Sequence, residues 1–164
     1  MVERASSNLR MERGEESSRL PDGTVVEKSV KLTIGSDLSA VREVRDLILK
    51  EVDQFGFDRQ SHFAIQLALE EAMINAMKHG NQLDPKKRVH IEFKISAKQL
   101  EVIVEDEGPG FERAGVPDPT LDENIEKCSG RGILLIEAYM NSVHWSRGGR
   151  RLHMIKKNEP DVHS

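Results

Sequence analysis

The sequence predicts an α/β fold: a two-layer α/β sandwich, with a mixed, mostly antiparallel sheet and helices on one face. Three observations carry this. Val89, Ile91, Phe93 and Ile95 alternate with polar residues, as do Leu100, Val102 and Val104, the period of half-buried strands. Two segments ahead of them repeat apolar residues every three or four positions, as helices do. The chain, at 164 residues, fits one domain better than two.

The domain opens near Val26. Val30, Leu32 and Ile34 alternate with Lys31 and Thr33 as a strand. Ser36 and Asp37 supply helix-capping chemistry. Leu38, Val41, Val44, Ile48, Val52 and Phe55 then form one helical stripe, with Arg42, Glu43, Asp46 and Lys50 facing water. Gly56 breaks that helix, Asp58 caps the next, and Gly80 ends it. In this second helix, about 59–79, Phe63, Ile65, Leu67, Leu69, Met73, Ile74 and Met77 surround much of the circumference, predicting burial on more than one side. The two alternating segments 89–95 and 100–104 read as a hairpin. After Asp106-Glu107-Gly108-Pro109-Gly110-Phe111 a long polar stretch runs to about Ser129, a length typical of a lid or binding loop. Ile133–Met140 reads as a third helix, and Val143–Ser146 with Leu152–Lys156 as a closing hairpin through Gly148-Gly149. Residues 1–28, rich in Ser, Glu and Arg without a periodic apolar face, are expected to be a flexible tail. The domain proper is expected over 29–157, and 158–164 as a C-terminal tail.

Composition excludes several functions. The formal net charge is −4 and the pI about 5.9, unlike a protein that neutralises duplex phosphates, so no direct nucleic-acid partner is expected. The single Cys128 makes neither an internal disulfide nor a thiolate cluster. No apolar run approaches the ~20 residues of a membrane span, and no apolar core follows Met1-Val2-Glu3-Arg4, so a cytoplasmic protein without membrane contact is expected. The six histidines show no H-E-x-x-H pattern, which argues against zinc. Trp145 reads as core rather than ligand.

Three elements could carry chemistry. Glu71 and Asn75 sit four apart on the second helix, so they share a face, with Lys78 and His79 a turn further. A carboxamide oxygen suits Mg²⁺, and a carboxylate nearby could polarise a hydroxyl for phosphoryl transfer. A solvated polar stripe would read the same way. Asp106-Glu107-Gly108-Pro109-Gly110 follows a strand directly. Asp106 could accept a hydrogen bond from an exocyclic amine such as adenine's, while Gly108 and Gly110 admit a flat ligand; an ordinary glycine turn is the alternative. Gly130-Arg131-Gly132 opens the third helix, where free backbone N–H groups form an anion site. It matches neither a Walker A loop nor a Rossmann fingerprint, and alone it could be purely structural.

Taken in order, these boxes resemble the GHKL, or Bergerat-type, ATPase fold. The stretch Leu69-Glu70-Glu71-Ala72-Met73-Ile74-Asn75-Ala76-Met77-Lys78-His79-Gly80, with Ser129-Gly130-Arg131-Gly132-Ile133-Leu134-Leu135-Ile136, is similar to the bacterial anti-sigma factor serine/threonine kinases. The resemblance covers about 28–157. It implies ATP and Mg²⁺ as cofactors, Glu71 as catalytic base, and Asn75 as the residue holding Mg²⁺ against the phosphates. It implies Lys78 near the phosphates, Asp106 reading the adenine amine, Gly108 and Gly110 shaping the pocket floor, and Gly130, Arg131 and Gly132 cradling phosphate. As partners it implies a STAS-domain anti-sigma-factor antagonist that is phosphorylated, a sigma factor that is sequestered, and a homodimer. The alternatives within the fold are an ATP-gated binding module without phosphotransfer and a detached histidine-kinase catalytic domain. Two departures stand out. Gly149-Arg150-Arg151-Leu152 has no Thr or Ser where many relatives carry a threonine supporting adenine recognition, and Lys127-Cys128 stands where some carry an arginine.

Overall fold

A computed structural model describes residues 12–109 and 131–159. Strands β1 (Glu12–Arg19) and β2 (Val25–Gly35) lead into helices α1 (Ser39–Gln54) and α2 (Arg59–Asn75). A π-helical turn, Ala76–Gly80, extends α2. Strands β3 (Arg88–Ser96) and β4 (Gln99–Asp106) follow, then helix α3 (Arg131–Tyr139), β5 (Ser142–Ser146), a 3₁₀ turn at Arg147–Gly149, and β6 (Arg151–Lys157). The six described strands form one sheet in the order β1-β2-β3-β4-β6-β5, antiparallel at every pairing.

Register explains why one face is core. Val30, Phe93, Val102, Met154 and Val143 form one cross-strand row, and Leu32, Ile91, Val104, Leu152 and Trp145 the next. With a period of two, every member of a row points to the same side. On that side Val44, Ile48 and Val52 of α1 and Ile65, Leu69 and Met73 of α2 complete a single apolar cluster. Each fully buried Leu, Ile or Phe contributes about 1.5–3 kcal/mol of transfer free energy, so these rows outweigh any single surface interaction. The opposite face carries Lys31, Thr33, His90, Glu92, Glu105 and Arg151, which line a shallow polar depression.

Helix boundaries follow their caps. Asp58 caps α2 by accepting the Ser61 amide N–H at 2.7 Å. Asp37 accepts the Ser39 amide N–H at 2.9 Å, whereas the Ser36 hydroxyl donates to the Lys87 carbonyl at 2.8 Å. Ser36 is therefore a tie to the loop before β3 rather than a cap. Alanines 64, 68 and 72 let neighbours approach α2, which packs on the sheet, α1 and α3. Burial on several sides holds for most of the helix, but Phe63 is an exception: it is 54% exposed and meets Tyr139 edge to face.

The expected tail over 1–28 needs correction. Residues Glu12–Arg19 pair along β2 as an edge strand, although every one of them is exposed. Backbone hydrogen bonds hold this strand, and an ion relay reinforces it. Lys28 Nζ lies 3.0 Å from both Glu15 of β1 and the buried Glu51 of α1. Burial lowers the Lys28 pKa, but the two carboxylates outweigh it and hold the ammonium above its ordinary range. Residues 1–11 and the predicted lid, including Cys128, lie outside the described residues, as does 160–164 of the expected C-terminal tail. Among the described residues, no helix is long and apolar enough to cross a membrane.

Candidate functional site

The site is built where the C-terminal end of α2 meets the end of β4. Asp106 is the last residue of β4 and continues the core-facing alternation of Leu100, Val102 and Val104. It pairs across to Val89, itself opposite Ile34, so a carboxylate stands in a row that is otherwise apolar. A charge in such a place is costly. Burial pushes the Asp106 carboxyl up to about 6, against the opposing pull of the Gly108 N–H, Arg150 and Lys87. Among the described residues, the Gly108 amide is the one hydrogen-bond donor to this carboxylate, reaching Oδ1 at 2.9 Å. Asp106's own N–H donates to the Arg150 carbonyl at 3.0 Å, tying the strand to the β5–β6 turn.

Two glycines make room for this arrangement. A Cβ on Gly80 would overlap the Asp106 carboxylate, and one on Gly108 would overlap the Gly80 carbonyl. The end of α2, the loop after β4 and the acid are therefore in direct apposition. Expecting Gly80 only to end the helix understates it: the π-helical turn carries the chain past that end and seats Gly80 on the acid.

Asn75 supplies the second unusual polar group. It is 5% exposed, and among the described residues its Oδ1 has no hydrogen-bond partner. A buried carbonyl oxygen left unpaired costs about 1–3 kcal/mol, a cost that a ligand or water at this oxygen would offset. Glu71 lies one turn earlier and is half-buried. A hard cation such as Mg²⁺ fits these donors, since it takes one or two protein oxygens and keeps its other waters. The adenine edge of ATP fits Asp106, a buried acceptor flanked by glycines too small to obstruct a flat base.

Sequence-predicted residues separate into three groups. Asp106 and Gly108 meet the end of α2 at Gly80, while Asn75 is the last residue of α2 and Glu71 lies one turn before it. Lys78 does not share their stripe: it is exposed and lines a groove between α1 and α2 with Arg42, Arg45, Glu70 and Ile74. The π-helical turn Ala76–Gly80 accounts for this, because its smaller rotation per residue swings Lys78 toward the Glu70–Ile74 ridge. Arg131 begins α3, and Gly132 is buried in its first turn. Gly110 and Gly130 lie outside the described residues.

Asn81 was not legible as a site residue, yet it is fully buried at the centre of the apposition. Its Oδ1 accepts the Glu107 amide N–H at 2.7 Å, and its Nδ2 donates to the Ser36 hydroxyl and the Arg88 carbonyl at 2.9 Å each. Glu107 is held further by the Arg88 amide N–H and by His90 Nε2, both at 2.8 Å. Its position directly after Gly80 was the only available signal.

Comparison with known proteins agrees with this geometry. Residues 34–156 match the model of the histidine kinase-like ATPase domain. The chain is 37% identical over 99 residues to an anti-sigma F factor of Clostridium perfringens, covering 58% of this chain and 70% of that protein. It is 29% identical over 97 residues to the serine-protein kinase RsbW of Oceanobacillus iheyensis, covering 56% and 61%. Against RsbW of Listeria monocytogenes it is 29% identical over 94 residues, covering 54% and 60%. The chain thus spans about 60–70% of the length of these relatives. It belongs to the histidine kinase-like ATPase domain family, in the part of that family similar to the anti-sigma F factors and RsbW kinases.

Proposed function

We propose that this chain is a Mg-ATP-dependent serine/threonine protein kinase that doubles as an anti-sigma factor. Its substrate would be a STAS-domain anti-sigma-factor antagonist, in a partner-switching pathway regulating transcription. The observation carrying the nucleotide reading is the buried, unpaired Oδ1 of Asn75, one turn from Glu71 on a helix that ends against Asp106. The partner class rests on the relatives, named as anti-sigma F factors and serine-protein kinases.

When bound, Mg-ATP supplies the γ-phosphoryl group and the countercharge for its transfer. The chain's own residues position it. Asp106 would accept a hydrogen bond from the adenine amine, and Gly108 would keep the floor of the base site open. Asn75 Oδ1 would hold the metal. Glu71 would orient the substrate hydroxyl and accept its proton. By the same resemblance, Gly130, Arg131 and Gly132 would cradle phosphate and Gly110 would help shape the pocket floor. Lys78 is the least supported phosphate contact, because it faces the α1–α2 groove. Cytoplasmic location and homodimer formation belong to the same reading.

Phosphotransfer tests it. Purified chain, Mg²⁺ and γ-labelled ATP are mixed with STAS-domain proteins of the same genome, with Glu71→Ala as control. Acid-stable label on one antagonist, absent in the control, is expected. Absence of label alongside confirmed ATP binding would instead indicate an ATP-gated binding module, and acid-labile label a histidine kinase.

A further inference from the structure

Asn81 has no access to solvent, and three of its side-chain hydrogen-bonding positions are filled by three different segments. Those segments are the residue following β2, the first residue of β3, and the residue following β4. Its own N–H donates to the Ala76 carbonyl at 2.8 Å, closing the π-helical turn that places Gly80 on Asp106. The Ser36 hydroxyl to which it donates passes the tie on to the Lys87 carbonyl at 2.8 Å. Asn81 is therefore anchored on both sides before it touches the site.

Its contact with the site falls on one peptide. The Glu107 N–H belongs to the Asp106–Glu107 peptide unit, so the bond to Asn81 Oδ1 fixes that plane. With the plane fixed, the chain turns so that the Gly108 N–H comes back to Asp106 Oδ1. Both carboxylate oxygens lie against Gly80, and Oδ1 takes the Gly108 N–H, which leaves Oδ2 without a hydrogen-bond donor among the described residues. The Glu107 side chain, clamped on Arg88 and His90, prevents the peptide from rotating away at its far side.

We propose that Asn81 is a positioning residue for base recognition, setting the direction in which Asp106 presents its carboxylate to an adenine amine. The inference rests on the reading of this place as an ATP site. An amide is required, because only a group with both an acceptor and two donors satisfies the Glu107 N–H, the Arg88 carbonyl and the Ser36 hydroxyl together. Asparagine-to-aspartate exchange removes both donors and buries a charge against the Arg88 carbonyl, so it is not conservative here.

The test is nucleotide choice, which a purely structural role leaves unmoved. Equilibrium titrations with ATP and GTP are run on the full chain, on Asn81→Ala, on Asp106→Asn, and on Val44→Ala as a comparably destabilised core control. Folding of each is checked by circular dichroism. The wild-type chain is expected to favour ATP, and Asn81→Ala to lose about tenfold or more of that preference, approaching Asp106→Asn, while Val44→Ala retains it. Wild-type preference lost in Asp106→Asn but retained in folded Asn81→Ala overturns the inference and leaves the ATP reading intact. No wild-type binding, or equal binding of ATP and GTP, overturns the base-recognition reading and this inference with it. Should Asn81→Ala not fold, Ser36→Ala reads the same quantity through one lost acceptor of Nδ2. A two- to threefold fall in preference, roughly one weak hydrogen bond, is then expected, and an unchanged preference contradicts the inference.

Discussion

The Asp106 carboxylate lies directly against Gly80, in the volume that a Gly80 Cβ would need. Gly80→Ala should therefore displace the acid, costing about 1–3 kcal/mol of stability and about tenfold or more in ATP affinity. Gly108→Ala should be worse, since its Cβ would meet the Gly80 carbonyl, which is backbone and has no rotamer to escape into. Thermal denaturation and nucleotide titration of both variants check the order.

Asp106 should trade stability for recognition. Burial raises its folded-state pKa from 3.8 to about 6, so the native state binds protons more readily than the unfolded chain. Stability attributable to this group is then present at pH 4, is lost as pH rises toward 6, and stays lost above it. The shift corresponds to about 3 kcal/mol at neutral pH. Asp106→Asn should accordingly stabilise the fold by about 1–3 kcal/mol at pH 7.5, with little effect near pH 4, while weakening discrimination of ATP from GTP. Denaturant melts at the two pH values, with calorimetric titration at the higher, measure both sides.

Lys28 should matter more than its place at the sheet margin suggests. Removing it leaves Glu51 buried without its cation, whereas Glu15 keeps water and a second partner in Arg13. Lys28→Met is expected to cost about 2–4 kcal/mol and Glu15→Ala under about 1 kcal/mol. The double variant Lys28→Met/Glu51→Leu should recover most of the loss. Chemical denaturation of the wild type, Lys28→Met, Glu51→Leu and the double variant gives the cycle, and strict additivity would contradict the pairing.

Much of the fold was legible because its elements bury apolar residues at fixed periods. The rows through Val30, Phe93 and Val102, and the stripe through Val44, Ile48 and Val52, are visible as alternation and as three- or four-residue recurrence. Strand β1 was not, because Glu12–Arg19 has no apolar residue and joins the sheet through backbone alone. Such a polar edge also discourages pairing with other chains. At the site, a carboxamide among apolar neighbours marked Asn75, and a strand-end acid before glycines marked Asp106. Asn81 and the second role of Gly80 were hidden because they depend on backbone approach between residues about 26 positions apart in the chain. Lys78 was misplaced by one ridge, a distinction that spacing alone leaves open when a neighbour three residues away and one four away both count as adjacent.

The claim on which the account turns is that Asn75 keeps its buried Oδ1 unpaired for a metal held with ATP. Calorimetric titration of ATP with and without Mg²⁺, on the wild-type chain and on Asn75→Ala, tests it most directly. Mg²⁺ should tighten wild-type binding by about tenfold or more and leave a folded Asn75→Ala unaffected, with little loss of stability in the variant because no hydrogen bond is removed from Oδ1. Equal Mg²⁺ enhancement in both proteins would contradict the account.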